Sequence, residues 1–145
     1  MTHRDARQVV FGCFDGLASA LGVIVATAST GNAHSVVIAA TALAVGAAVS
    51  MGAGQWLSDD AKSTRKALVM ALATLGGSIL PAVPFFALAG PLAWLCCGAV
   101  TVGLGAVIAE VRPGKVVPSY ALTFSVLIVA SGLAVATSLA AGAVA

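Results

Sequence analysis

The sequence predicts an all-α membrane protein of five transmembrane helices that takes up nearly all of its 145 residues. Three observations predict it. Hydrophobic residues make up 60% of the chain and charged residues 8%, against about 25% charged in a soluble domain, so there is too little polar surface to coat a globule. Mean hydropathy is +1.07. The apolar residues also fall into five stretches of roughly 20 residues, the length a helix needs to cross a hydrocarbon core about 30 Å thick. A soluble enzyme is excluded, and no nucleophile and base pair is visible within the spans, so no enzyme activity is expected. A net charge of +2 gives no support to nucleic-acid binding.

The first stretch, 9–28, follows Arg4 and Arg7, and the second, 36–57, follows the small polar loop Gly31-Asn32-Ala33-His34. The third, 67–88, contains Pro81 and Pro84, which kink or locally unwind it and free backbone carbonyls that a cavity, a water or a neighbour must satisfy. Residues 66–110 are too long for one span, so the chain reverses at Gly90-Pro91 and a fourth helix runs over 91–109. The fifth covers 117–140, and with so little chain left over, 1–145 reads as a single five-helix transmembrane domain.

Orientation follows from the basic residues, because cytoplasmic loops retain Lys and Arg. Arg4 and Arg7 precede the first span, Lys62, Arg65 and Lys66 lie between the second and third, and Arg112 and Lys115 lie between the fourth and fifth. All seven fall on one side, which predicts a cytoplasmic N-terminus and a C-terminus on the opposite side. A secretory signal cleaved after Ala26-Thr27-Ala28 is the competing reading of the N-terminus. Asp15 argues against it, since the apolar core of a signal does not normally carry a carboxylate in its first two turns.

Asp15 is the one acidic residue inside a span; Glu110 sits at a cytoplasmic end, and Asp5, Asp59 and Asp60 lie outside. An Asp at the centre of a membrane helix costs roughly 2.5–3.5 kcal/mol on insertion scales, so it marks a functional site by default. The bland alternative is a protonated acid hydrogen-bonded to a neighbouring helix. Helical steps from Asp15 reach Gly12, Ser19 and Gly22, with Gln8 and Ala26 completing the stripe. Gly12 and Gly16 form a GxxxG pair, so the stripe is a helix-packing seam or the wall of a pathway. In the second span a similar stripe of small residues, Ala44, Ala47, Ala48 and Gly54, holds Met51 and Gln55. Asp15 and Met51 both lie about 9 Å deep from the cytoplasmic side, which lets the two stripes meet.

A carboxylate beside a thioether suits a late first-row divalent ion such as iron(II) better than magnesium or calcium. One chain supplies too few ligands, so two copies of Asp15, Met51 and Gln55 around a two-fold axis make the more complete site, which predicts a homodimeric bundle. Other residues are ordinary. Cys96 and Cys97 point about 100° apart on a helix and cannot share an ion. Met70 reads as a core gap-filler, His3 and His34 as solvated, and Trp56 and Trp94 as interfacial anchors. Asp59 and Asp60 either draw cations to a cytoplasmic entrance or pair with Lys62 and Arg65 in a solvated loop.

The segment Val10-Phe11-Gly12-Cys13-Phe14-Asp15-Gly16-Leu17 resembles the first-helix signature of the vacuolar iron transporter family, VFG followed by two variable residues and DGL. The run from Gly46 through Ser50-Met51 to Gln55-Trp56-Leu57-Ser58 is similar to that family's second helix. Leu80-Pro81-Ala82-Val83-Pro84-Phe85 resembles the LPxxPF of its third, and Gly132 to Thr137 sits where its fifth has a comparable stretch. The resemblance implies a five-helix homodimeric antiporter that moves iron(II), and often manganese(II), out of the cytoplasm in exchange for protons. Asp15 and Met51 match the family's intramembrane aspartate and methionine. Two departures stand out. Gln55 replaces a glutamate usual at that position, and 58–66 leaves no room for the cytoplasmic metal-binding domain that many members carry there; shorter members lacking it exist.

The expectation is therefore a proton-coupled exporter of divalent iron or manganese, with the ion as cargo and no cofactor. Asp15 binds the ion when ionised, Met51 is the soft ligand, and Gln55 is a neutral oxygen ligand or gate. Its partners are a second copy, the lipid bilayer, divalent metal ions and protons. The plasma membrane is the expected location in a bacterium, and a vacuole-type organelle membrane otherwise. Two rivals remain: a family member that has lost transport and serves as a structural or regulatory membrane protein, suggested by Gln55, and a small exporter of organic cations. The latter needs aromatic walls, whereas Trp56, Trp94 and Tyr120 lie toward helix ends.

Overall fold

The computed structural model describes residues 3–28, 32–88, 90–111 and 116–144. Helix α1 covers His3–Ala28, α2 Ala33–Ser58 and α3 Thr64–Ile79; a 3-10 turn at Leu80–Ala82 leads to the short α4, Pro84–Ala87, then α5, Gly90–Val111, and α6, Val116–Val144. No strand occurs among the described residues. Four segments are long and apolar enough to cross a membrane: Ala6–Thr27, Ala33–Ser58, Gly90–Val111 and Pro118–Thr137. Large apolar side chains such as Leu72, Leu95, Ile128 and Leu139 face outward, as a lipid-facing surface requires. Arg112, Lys115 and residues 29–31, which bear on the charge asymmetry and on the signal-cleavage alternative, lie outside the described residues.

The apolar stretch 67–88 is not one helix. Pro81 and Pro84 have no N–H to offer the carbonyls of Gly77 and Leu80 four residues back. The chain tightens instead: the N–H of Val83 is shared between the carbonyls of Ile79 at 3.1 Å and Leu80 at 3.3 Å. The Leu88 N–H closes α4 on the Pro84 carbonyl at 2.8 Å, and Leu88 turns extended. Gly90 then adopts φ +63°, a left-handed conformation that favours glycine, and α5 begins there. With 16 residues, α3 alone is about 24 Å long.

Two clusters form the core. One joins Ala20 and Ile24 of α1 to Val36 and Ala40 of α2, Ala82, Phe85, and Ala93 and Cys97 of α5. Its rim carries Phe85 and Trp94 edge to face, with ring centroids 5.0 Å apart. The other joins Leu17 of α1 to Ile108 of α5 and Leu127 of α6. Between α1 and α2 sits α3, which packs against each of them more extensively than they pack on one another. Small residues permit it: Gly12 and Gly16 of α1 and Gly77 of α3 on one side, Gly52 of α2 with Ala67 and Ala71 of α3 on the other.

Candidate metal site on the first two helices

The GxxxG pair of α1 is a packing seam against α3. A Cβ on Gly12 would lie 2.8 Å from the Met70 carbonyl oxygen and 2.9 Å from Thr74 Oγ1, and one on Gly16 would collide with the Thr74 carbonyl oxygen. The hydroxyls along this seam are satisfied within α3: Thr74 Oγ1 donates to the Met70 carbonyl at 3.0 Å and Ser78 Oγ to the Thr74 carbonyl at 2.9 Å. Both side chains are fully buried. Back-bonding of this kind leaves no loose donor facing the glycines.

Asp15 sits about 100° around α1 from Gly16, on the flank of that seam, and is half-buried. Among the described residues its carboxylate has no hydrogen-bond donor and no ion-pair partner. Ser19, one turn further, is also half-buried. Gly22 belongs to a different contact, since a Cβ there would meet the Ala134 Cβ of α6 at an ordinary 3.7 Å. The stripe Gly12, Ser19, Gly22 is thus shared between α3 and α6. Toward the start of α1, the side-chain oxygen of Gln8 is buried without a hydrogen-bond partner. Seven residues separate it from Asp15, about 10 Å along the axis, so the two oxygens do not share one ion.

On α2, Met51 and Gln55 are one turn apart and both half-buried. Gly52 beside them is buried on α3, where a Cβ would come within 3.0 Å of the Ala71 Cβ and 3.2 Å of the Ala67 carbonyl oxygen. The sequence predicts that the small-residue stripes of α1 and α2 meet; in the structure Gly12 of the first stripe, and Gly52 beside the second, pack on α3. The reason is that Met70, Ala73 and Thr74 reach Gly12 while Ala67 and Ala71 reach Gly52, so α3 fills the space between the two seams. No group of three or more His, Cys, Asp or Glu side chains gathers among the described residues. Within one protomer, Asp15 would be a lone carboxylate ligand.

The loop from α2 to α3 is closed by Asp59. Lys66 Nζ lies 2.9 Å from Asp59 Oδ1 and 3.0 Å from Oδ2, and the Ser63 N–H donates to Oδ2 at 3.1 Å. The Lys66 ammonium, followed by the Ser63 amide, holds the Asp59 carboxyl below the usual carboxylate range. Of the bases expected to pair in this loop, Lys62, at φ +48°, instead directs its Nζ to the Leu57 carbonyl at 3.3 Å and over the Trp56 ring at 5.0 Å, and it is Lys66 that pairs with Asp59. Asp60 is exposed. Pro81 and Pro84 are buried where α3 gives way to α4. Sequence reasoning did not single out Gly77, Thr74 or Ser78, although Gly76-Gly77 inside an apolar stretch signals a close backbone approach.

Four long apolar helices with large apolar side chains facing outward define a multi-pass α-helical membrane protein. Residues 6–64, which run through α1, α2 and the loop beyond, match the model of the VIT family. Members of that family are membrane transporters rather than enzymes, and the family implies metal-ion transport in general. No curated protein and no solved structure matches the chain.

Proposed function

We propose that this protein exports divalent iron or manganese from the cytoplasm in exchange for protons. The observation that carries the reading is Asp15, a half-buried carboxylate inside an apolar helix with no partner among the described residues of its own protomer. An embedded acid left without a partner suits an exchangeable ligand. It cannot hold a proton and a metal ion together, so loading one releases the other, and the proton gradient drives the exchange. Met51 supplies a soft sulfur that favours iron(II) over magnesium, and Gln55 supplies a neutral amide oxygen.

The working unit in this reading is a homodimer, because a single protomer offers one carboxylate and two-fold symmetry doubles the ligand set. Residues 64–87, taken through the break at Pro81, form a fifth span in this reading; the basic starts of α1 and α3, and Arg112 and Lys115 of the sequence between the last two spans, then face the cytoplasm and the C-terminus lies opposite. A bacterial host places the protein in the plasma membrane.

Gln55 favours a second reading, a member whose transport has lapsed, because it removes one titratable group from each protomer. The test is iron(II) and manganese(II) uptake into proteoliposomes under a proton gradient, comparing the unaltered protein with Asp15→Asn. Uptake that vanishes with the substitution supports the exchanger. Uptake that persists in Asp15→Asn overturns the role of Asp15, and no uptake by the unaltered protein supports the second reading.

A further inference from the structure

Beside the Asp15 face, α1, α5 and α6 enclose an open apolar groove of about 440 Å³, with Phe11 one helical turn before Asp15. Its walls are Val10, Phe11 and Phe14 from α1 with Leu122 and Val126 from α6, and Arg7 lies at one end. We propose that this groove binds an anionic phospholipid from the surrounding bilayer, one acyl chain lying in the groove and the phosphate on the Arg7 guanidinium.

Depth and charge both support this occupant. Arg7 is the second residue of the apolar segment Ala6–Thr27, so its guanidinium lies at the level of lipid headgroups. Phe14 is seven residues further on, roughly 10 Å deeper and among acyl chains. Arg7 is exposed, and among the described residues it has no ion-pair partner. Lys66 is paired with Asp59 and Lys62 is turned onto Leu57 and Trp56. Glu110, the acid at the end of α5, accepts the Tyr120 hydroxyl at 3.0 Å. An arginine left unneutralised at the mouth of an apolar groove is complementary to a phosphate joined to a hydrocarbon chain, and guanidinium binds phosphate in bidentate fashion. A zwitterionic lipid offers the same chain with its phosphate charge already offset.

Native mass spectrometry of the full chain in detergent tests the proposal, with phosphatidylglycerol and phosphatidylcholine of identical acyl chains as probes. Phosphatidylglycerol should remain bound at concentrations at least about tenfold below those needed for phosphatidylcholine, a difference within the reach of one charge-assisted pair. Arg7→Gln should bring the two lipids level. Val126→Trp, which fills the groove from an exposed position, should weaken both, and glycerol phosphate without acyl chains should not compete. Equal retention of the two lipids, a preference that survives Arg7→Gln, or unchanged binding in Val126→Trp overturns the proposal. So does efficient cross-linking between two Val126→Cys chains, which would mean that a second copy covers the groove.

Discussion

Gly77 of α3 lies against the backbone carbonyl of Cys13 on α1, in a space that a Cβ cannot share. Gly16 stands in the same relation to the Thr74 carbonyl. Two backbones in contact gain dispersion energy along the whole seam, which is how small residues hold membrane helices together. Gly77→Ala and Gly16→Ala should each destabilise the protein by about 1–3 kcal/mol, the usual range for overpacking. Gly54→Ala, with open space around it, should instead gain up to about 1 kcal/mol of helix propensity. Thermal unfolding in detergent, followed by the fluorescence of Trp56 and Trp94, separates the three.

Met51→Leu removes the thioether and keeps the volume. Iron(II) uptake in proteoliposomes should fall several-fold while the unfolding temperature stays unchanged, because the substitution takes away a soft ligand and leaves the packing intact. A parallel fall in stability would assign Met51 to packing.

Gln55→Glu adds one carboxylate to the chain. Metal affinity should rise, and it should fall more steeply as the pH drops, because a ligand that must lose its proton before binding adds to the proton count released per ion. Isothermal titration with manganese(II) at two pH values reads both effects.

The Asp59 carboxyl is held low by Lys66 and Ser63, so folding favours its ionised form. The sign follows from linkage: its stabilisation is present above the ordinary carboxylate range and is lost as the pH falls through that range and below it. Asp59→Asn should therefore lower the unfolding temperature at neutral pH, with the difference narrowing below about pH 4. The contribution is small, because the bridge is only partly buried at the surface, and it should shrink in high salt.

Length and hydropathy make the long helices legible, since nothing but a bilayer accommodates so many consecutive apolar residues. Pro81 and Pro84 carry their mechanism in their chemistry, the missing N–H, and α3 ends beside them. What Gly12 and Gly16 pack against was not legible. Sixteen glycines look alike in one dimension, and the choice of α3 over α2 depends on where Met70, Thr74 and Gly77 fall once the helices are in place. The Asp59 to Lys66 bridge was hidden for a similar reason: it spans seven residues through a loop that needs Lys62 at positive φ. Asp15 announced itself as the one acid well inside an apolar stretch rather than at its end, but its lack of a partner among the described residues is a property of the packed helices.

The intermediate position of α3 bears on how the molecule is assembled. It is not among the four segments that length and composition alone would commit to lipid, and its best surfaces are the two glycine seams it shares with α1 and α2. A chain made from its N-terminus completes α1 and α2 first, so both walls exist before α3 emerges. Order of synthesis thus provides a protein surface for the segment least suited to lipid, and a permuted chain in which α3 precedes its walls would be expected to insert poorly even though every contact of the finished fold is unchanged.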